Sequence, residues 1–296
     1  MKRTRQHMVL FSGIVFLFVA LILPAQSSYA LKPTFEAYQK VLLGHVHAGF
    51  AIQRYTFDPK HKIVTSISYT YVKAGSHETI ESIVAKSDFN FDPISYQYTA
   101  LVDGKPVIID AHFANDKMTA IKIVGKKRTR IKANVPSTIK IVGKKRERIT
   151  YGFLSSFLNY DLLAPVNGGL SVGKEFKFYA LAEETAKFIE GTAEVLAKVK
   201  YKGVPAFKIK FSYPDRSRYN HNLDPDSTPS GMDPIHFIAY LSYKGEALGT
   251  DSPAQNAKTV IASKASAIKG LTFNAAQVRK LFGDIPAGVA NQVYGP

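Results

Sequence analysis

Hydrophobic and polar residues alternate with a period of two along most of the chain from His45 to Val124. Val46, Ala48, Phe50 and Ile52 take alternate positions up to a turn at Asp58-Pro59-Lys60. Ile63, Thr65, Ile67, Tyr69 and Tyr71 share one face of the next run, with Ser66, Ser68 and Thr70 on the other. After Ala74-Gly75-Ser76, further runs cover 79–91, 94–102, 107–113 and 118–124, separated by Asp92-Pro93, Asp103-Gly104-Lys105-Pro106 and Asn115-Asp116-Lys117. Strand-length alternation broken by tight polar turns predicts an antiparallel meander. The aromatic and β-branched content suits strands with one face on a core. Before the meander, Phe35, Tyr38, Val41 and Leu42 are spaced as on a helix, and Gly44 supplies a stop, so 33–43 is expected to be a short amphipathic helix closing one end of the sheet.

A tandem repeat follows. The segment from Ile121 to Ile131 (IKIVGKKRTRI) recurs from Ile139 to Ile149 (IKIVGKKRERI), identical at ten of eleven positions. Each copy reads as a strand, a Gly-Lys-Lys turn and a return strand. Two copies of so short a unit do not make a solenoid, which needs at least three repeats, so the duplication is expected to lengthen a hairpin. Residues 152–174 read as a short helix and a Gly-rich connection, and the boundary between two sheet halves is placed there. Strands are expected again at 175–183, 187–201, 204–213 and 235–243, with a last one at 259–263 and a helix at 274–282. Residues 214–234 are almost free of apolar side chains and read as a long loop.

The first thirty residues have a different character. Lys2, Arg3 and Arg5 precede an apolar run from Met8 to Leu23, Pro24 ends it, and Ser28-Tyr29-Ala30 places small residues at a cleavage site. The run is shorter than the ~20 residues a membrane-crossing helix needs. A cleaved signal peptide is therefore expected over 1–30, with a periplasmic or secreted mature protein. Cysteine is absent. This excludes disulfides, thiolate catalysis and a lipid-modified cysteine after the cut.

The formal charge is +16, of which the signal segment holds three positive charges and residues 121–149 a net +10. The basicity is thus local. Lys126, Lys127, Arg128 and Arg130 in the first copy, with Lys144, Lys145, Arg146 and Arg148 in the second, are the candidate anion-binding residues. Such tips would attract anionic headgroups or envelope polymers, at about 1 kcal/mol per Lys or Arg near an anionic surface. Nucleic acid is not an expected partner, because no aromatic residues interleave the cations for base stacking.

No set of residues assembles a convincing catalytic group, and no cofactor or metal is expected. Gly169-Leu-Ser171-Val-Gly173 matches the G-x-S-x-G pattern of serine hydrolases, with His221, His236, Asp224 and Asp226 downstream. That motif needs a strand before the serine and a helix after it, and here a Gly-rich loop precedes a strand-like run. Hydrolysis through Ser171 is kept as a minor alternative. His45 with His47, and Asp110 with His112, have the spacing to share a strand face and chelate, but nothing in one sequence brings the pairs together. Asp215, Asp224, Asp226 and Asp233 are calcium-type ligands without EF-hand spacing, and Asx-Pro turns explain them more cheaply.

The segments Phe91–Tyr98 (FDPISYQY), Ala111–Met118 (AHFANDKM), Gly173–Phe178 (GKEFKF), Gly203–Lys210 (GVPAFKIK) and Ala239–Glu246 (AYLSYKGE) give the chain a fold-level resemblance to periplasmic families built on the lipoprotein-carrier (LolA/LolB-like) half-barrel. The resemblance spans roughly 45–265 and carries no diagnostic motif, so it transfers no functional residue. It implies a curved antiparallel sheet whose concave face could hold acyl chains. The basic hairpins and the absence of tryptophan depart from that pattern.

The expected fold is mainly β: a curved antiparallel sheet or half-barrel in two parts, 31–160 and 161–296, with short N- and C-terminal helices and a protruding basic hairpin segment. The expected function is non-enzymatic binding of a lipid or other apolar ligand. Phe50, Tyr69, Tyr71, Tyr96, Tyr98 and Phe113 are the candidate ligand-binding residues, and the basic hairpins would contact an anionic membrane or headgroup. The alternative is an envelope protein with a filled core that binds a polyanion or acidic partner through the hairpins.

Overall fold

The computed structural model describes residues 34–102, 104–142, 145–163, 169–213 and 235–282, with side chains at all of these except 137–142, 145–153, 161, 280 and 282. Eight strands follow one another by short turns: β1 (Phe35–Leu43), β2 (Val46–Asp58), β3 (Ile63–Ala74), β4 (His77–Asp88), β5 (Pro93–Val102), β6 (Lys105–Ala114), β7 (Lys117–Val124) and β8 (Lys127–Asn134). The meander read from the alternation is therefore present. Its turns have the chemistry that tight hairpins demand: Asn115 and Asp116, both at positive φ, join β6 to β7.

The strands β9 (Ser137–Val142) and β10 (Lys145–Leu154) carry the second copy of the repeat and lead through a 3-10 turn (Ser155–Phe157) into α1 (Leu158–Leu163). The chain continues as β11 (Glu175–Ala182), β12 (Lys187–Tyr201), β13 (Val204–Tyr213), β14 (Ile235–Ser242), β15 (Ala247–Ser252) and β16 (Ala257–Ala262). Two helices, α2 (Lys264–Ile268) and α3 (Ala275–Phe282), follow. Side chains start both helices. Ser263 accepts from the Ser266 amide, and Asn274 Oδ1 accepts from the amides of Ala276 and Gln277 at 3.1 and 3.3 Å.

All sixteen strands belong to one sheet in the order β8-β7-β6-β5-β4-β3-β2-β1-β16-β15-β14-β13-β12-β11-β10-β9. From β8 to β11 the sheet is a curved, unclosed antiparallel run of fourteen strands. The strand β10 then adds parallel to β11, with Gly152, Phe153 and Leu154 opposite Tyr179, Ala180 and Leu181. The first strand pairs with the last, Tyr38 opposite Ala262 through Leu43 opposite Ala257. Sheet pairing thus runs without interruption past the helical break at 155–163. The two copies of the repeat occupy opposite ends, β7–β8 at one edge and β9–β10 at the other. The duplication therefore builds a second edge hairpin rather than extending the first. Only Val135 and Pro136 separate the two edge strands in sequence.

The expected N-terminal helix is also overturned. Residues 35–43 are a strand, not a helix, paired on both sides by β2 and β16. Phe35, Glu36, Ala37, Tyr38 and Gln39 are all buried, because this central strand is covered on both faces. A strand buried on both faces loses its period of two, and its apolar positions then mimic a helical spacing.

The two faces are covered by different elements. On the outer face, Tyr38, Phe50, Ile52, Tyr69, Tyr71 and Ile80 form a core with Ala267 of α2 and Val278 of α3. On the inner face, Phe35, Tyr55, Tyr96, Tyr98, Ile109 and Met118 pack with Leu154 and Phe157, while Leu158 and Leu162 of α1 pack on Phe178, Ile209, Phe211 and Leu241. Residues 154–162 thus touch both arms of the curved sheet, which wraps around them. Gly49 permits one close approach: a Cβ there would stand 1.9 Å from the Tyr71 carbonyl oxygen of β3.

Candidate binding cleft

The six residues expected to line one concave wall fall on opposite faces. Phe50, Tyr69 and Tyr71 lie on the outer face, where Phe50 is 5.7 Å from Tyr69, 5.9 Å from Tyr71 and 4.7 Å from Phe273, centroid to centroid. The C-terminal helices cover them. Tyr96 and Tyr98 lie on the inner face with Phe113 packed beside them, 6.3 Å from Tyr96. The register requires this division: Tyr96 opposes Ala85, Ala85 opposes Ser66, and Ser66 has the opposite parity to Tyr69 and Tyr71 on β3.

The inner face holds the open space. A half-open cleft of about 250 Å³ is lined by Ser155, Leu158, Asn159, Glu184, Phe211, Tyr213, Phe237, Ala239, Ala247 and Thr250. Its wall is a stack of rings on neighbouring strands. Phe237 lies 5.1 Å from Phe211 and 6.0 Å from Tyr213, at interplanar angles of 12° and 14°. The cross-strand pairing of Phe211 with Phe237 sets that stack. Its small floor residues, Ala239 and Ala247, leave the volume between wall and helix.

Polar groups sit on one side of the cleft. The Ser155 hydroxyl donates to the Leu181 carbonyl at 2.7 Å. The Ser156 amide donates to the Glu183 carboxylate at 2.9 Å, and the Tyr55 hydroxyl donates to the Ser156 carbonyl at 2.6 Å. Glu183 is buried, and desolvation, with Glu184 adding to it, raises its pKa to about 7. Burial also pushes up the phenols of Tyr55, Tyr96, Tyr98 and Tyr160. The Tyr98 hydroxyl donates to Glu81 at 3.0 Å, and among the described residues the buried Tyr96 hydroxyl has no hydrogen-bond partner. On the outer face the buried carboxylate of Glu36 is treated differently, bonded to Arg54 Nε at 2.6 Å.

The basic residues of the first repeat are placed at the sheet edge. Lys126 is in the turn, and Lys127, Arg128 and Arg130 lie exposed on β8, which pairs with β7 on one side. Strand alternation puts Arg128, Arg130 and Lys132 in one outward row. Lys144, and the side chains of Lys145, Arg146 and Arg148, lie outside the described residues.

The remaining motifs stay apart. Ser171 is exposed, its carbonyl accepting from the Lys174 amide in a turn that runs into β11, so no helix follows it. His221, Asp224 and Asp226 lie outside the described residues, and His236 Nδ1 is 2.8 Å from Ser212 Oγ on the exposed surface. His45 is in the β1–β2 turn and His47 at the start of β2, whereas Asp110 and His112 pair with each other on β6 at 3.5 Å. Among the described residues no three His, Cys, Asp or Glu side chains gather to hold a metal. Asp215, Asp224, Asp226 and Asp233 lie outside them. Among the described residues, no helix is long and apolar enough to cross a membrane.

Comparison with protein-family models, curated proteins and solved structures gave no match.

Reading the sequence alone missed Phe211, Tyr213, Phe237 and Ala247 as lining residues. The alternation of Phe207, Ile209, Phe211 and Tyr213 was visible, but sequence does not say which aromatic row a helix will cover.

Proposed function

We propose that this chain is a non-enzymatic, exported binding protein for a lipid-like or other apolar ligand, which it takes into the inner-face cleft. The observation that carries this reading is the cleft beside the aromatic stack, lined by the partly buried Phe237 together with the buried Phe211 and Tyr213. Apolar wall and few polar groups is the composition of small-molecule sites. At about 250 Å³ the space is small beside the ~300–1,000 Å³ of drug-sized pockets, so it suits one acyl chain or ring. Burying a chain there would contribute about 0.8 kcal/mol per CH₂ removed from water.

Mass spectrometry of the protein purified without detergent tests this, under native conditions and after solvent extraction. A stoichiometric lipid is the expected result. An empty protein that also fails to take up a fluorescent fatty acid would sink the reading. Export through residues 1–30 is tested in the same spectrum, where the mature chain is expected to begin at Leu31.

The exposed cations of β8 favour a second reading, docking to a polyanion or an anionic surface. Salt-dependent binding of the empty protein to anionic vesicles, with no ligand uptake, would select it.

A further inference from the structure

The inner-face cleft carries charge of one sign. Among the described residues that line it, Glu184 is the only carboxylate, and none is Lys, Arg or His. Glu184 stands in the turn between β11 and β12, half-buried. Its neighbour Glu183 is fully buried and accepts from the Ser156 amide. The two adjacent carboxylates thus have different tasks, one holding the backbone of the helical break and the other lining the open space.

The other polar groups of the lining are neutral. Ser155 Oγ donates to the Leu181 carbonyl at 2.7 Å, and Thr250 Oγ1 shares a hydrogen bond with Thr259 Oγ1 at 3.0 Å. Asn159 of α1 adds an amide whose oxygen can accept. The rest is apolar or aromatic: Leu158, Phe211, Tyr213, Phe237, Ala239 and Ala247. A carboxylate half-buried among such groups is costly unless a cation or hydrogen-bond donor meets it. Lys122 interacts electrostatically with Glu184 from β7 without lining the cleft, and a carboxylate with two acceptor oxygens can serve a second cation. Aromatic rings add to the attraction, since a cation is drawn to a ring face within about 6 Å of its centroid. Phe237 is the partly buried member of the stack, 5.1 Å from Phe211. Such a wall suits an organic cation better than a metal ion, which asks for several oxygen ligands.

Resting on the ligand reading above, we propose that the cleft selects a single-chain amphiphile with a cationic head, an ammonium held by Glu184. The head sits against the carboxylate, with Asn159 and the ring of Phe237 beside it, and the chain lies along Leu158, Ala239 and Ala247. Burial of the chain is common to any head, so a fatty acid still enters. Its carboxylate meets that of Glu184 in a partly desolvated site, where charges act more strongly than in water, and it binds more weakly than an amine of the same length.

The test uses the mature protein and three probes of equal chain length: octylamine, octanol and octanoate. Each is titrated calorimetrically at pH 7, with a thermal melt on every variant. Wild type is expected to bind octylamine tenfold or more tightly than octanol, and octanoate more weakly than octanol. The chain is basic overall, at +16, so general attraction would favour octanoate and cannot imitate this order. In Glu184→Gln the preference for octylamine is lost while octanol affinity is unchanged, and Glu184→Asp keeps part of it. The order of the probes on wild type decides the matter even where a variant melts early. Equal affinity of wild type for all three, abolished by Ala247→Phe, would leave the cleft reading standing and overturn the cationic head. An octylamine preference that survives Glu184→Gln in a folded protein would overturn the role of Glu184. No binding of any probe to wild type would overturn both readings.

Discussion

The sheet has two aromatic rows on opposite faces, and they have opposite fates. Phe50, Tyr69 and Tyr71 are covered by α2, α3 and Phe273, so that face is a core. Phe211, Tyr213 and Phe237 stack as closely, and α1 packs on the buried Phe211, yet Phe237 is only partly buried and a cleft opens beside the stack. The same contrast holds for the buried carboxylates. Glu36, outside, is held by an arginine, and Glu183, inside, by a backbone amide. Aromatic content therefore does not make a site; what matters is whether the chain returns to cover it. The outer face is finished, whereas the inner one keeps a partly buried Phe237 beside a cleft and, in Glu183, a carboxylate held near neutral.

Substitutions can break that contrast, and the largest effects belong to the finished face. Phe50→Ala is expected to lose about 3–5 kcal/mol of unfolding free energy by chemical denaturation, the usual cost of emptying a fully buried aromatic site. A loss below 1 kcal/mol would mean the helices do not hold that face. Arg54→Met is expected to cost on the order of 3–5 kcal/mol, because it strands the buried Glu36 charge. The double variant Glu36→Gln/Arg54→Met should recover most of the loss.

Glu183 supplies the next effect, and its sign is set by the direction of the shift. The folded state holds this proton up to about pH 7, whereas the unfolded chain releases it near the ordinary carboxylate value of 4.5. The folded state therefore binds more protons between those limits, and stability falls as pH rises from about 4.5 to 7. The full change is on the order of 3 kcal/mol, at about 1.4 kcal/mol per pH unit. Denaturation midpoints measured across that range should show the decline in wild type. Glu183→Gln should flatten it.

Smaller effects belong to the open regions. Phe237→Ala is expected to change stability by about 1 kcal/mol or less, because the ring is only partly buried, yet to abolish uptake of a fluorescent fatty acid. Loss of stability like that of Phe50→Ala would show the cleft to be ordinary core. Smallest of all, Arg128→Gln/Arg130→Gln/Lys132→Gln should leave the unfolding midpoint unchanged and weaken only salt-dependent attachment to anionic vesicles.

Much of the fold was legible in the sequence because β2 to β8 are long, alternate strictly and end in turns with specific chemistry. The first strand was not legible, since burial on both faces removes the alternation that marks a strand. Neither was β15, whose ALGTDS is short and holds a glycine whose Cβ would meet the Tyr201 hydroxyl at 2.6 Å. The duplication was plain, but its placement at both edges depends on β16 returning to β1, a pairing between residues more than two hundred positions apart. The candidate site was least legible. Phe50 and Phe237 look alike in sequence, and the difference lies in which helix reaches them.

The pairing of β1 with β16 also fixes an order of events. Every neighbouring pair from β1 to β8 can form from chain already made, but the free edge of β1 waits for Ala257–Ala262. Until those residues emerge, that edge carries unpaired backbone groups beside an aromatic surface that α2 and α3 have yet to cover, the kind of edge on which nascent chains aggregate. Closure of the loop of chain from 43 to 257 should therefore be the slow step of folding. A chain ending before 257 should resemble an intermediate stalled just before that step.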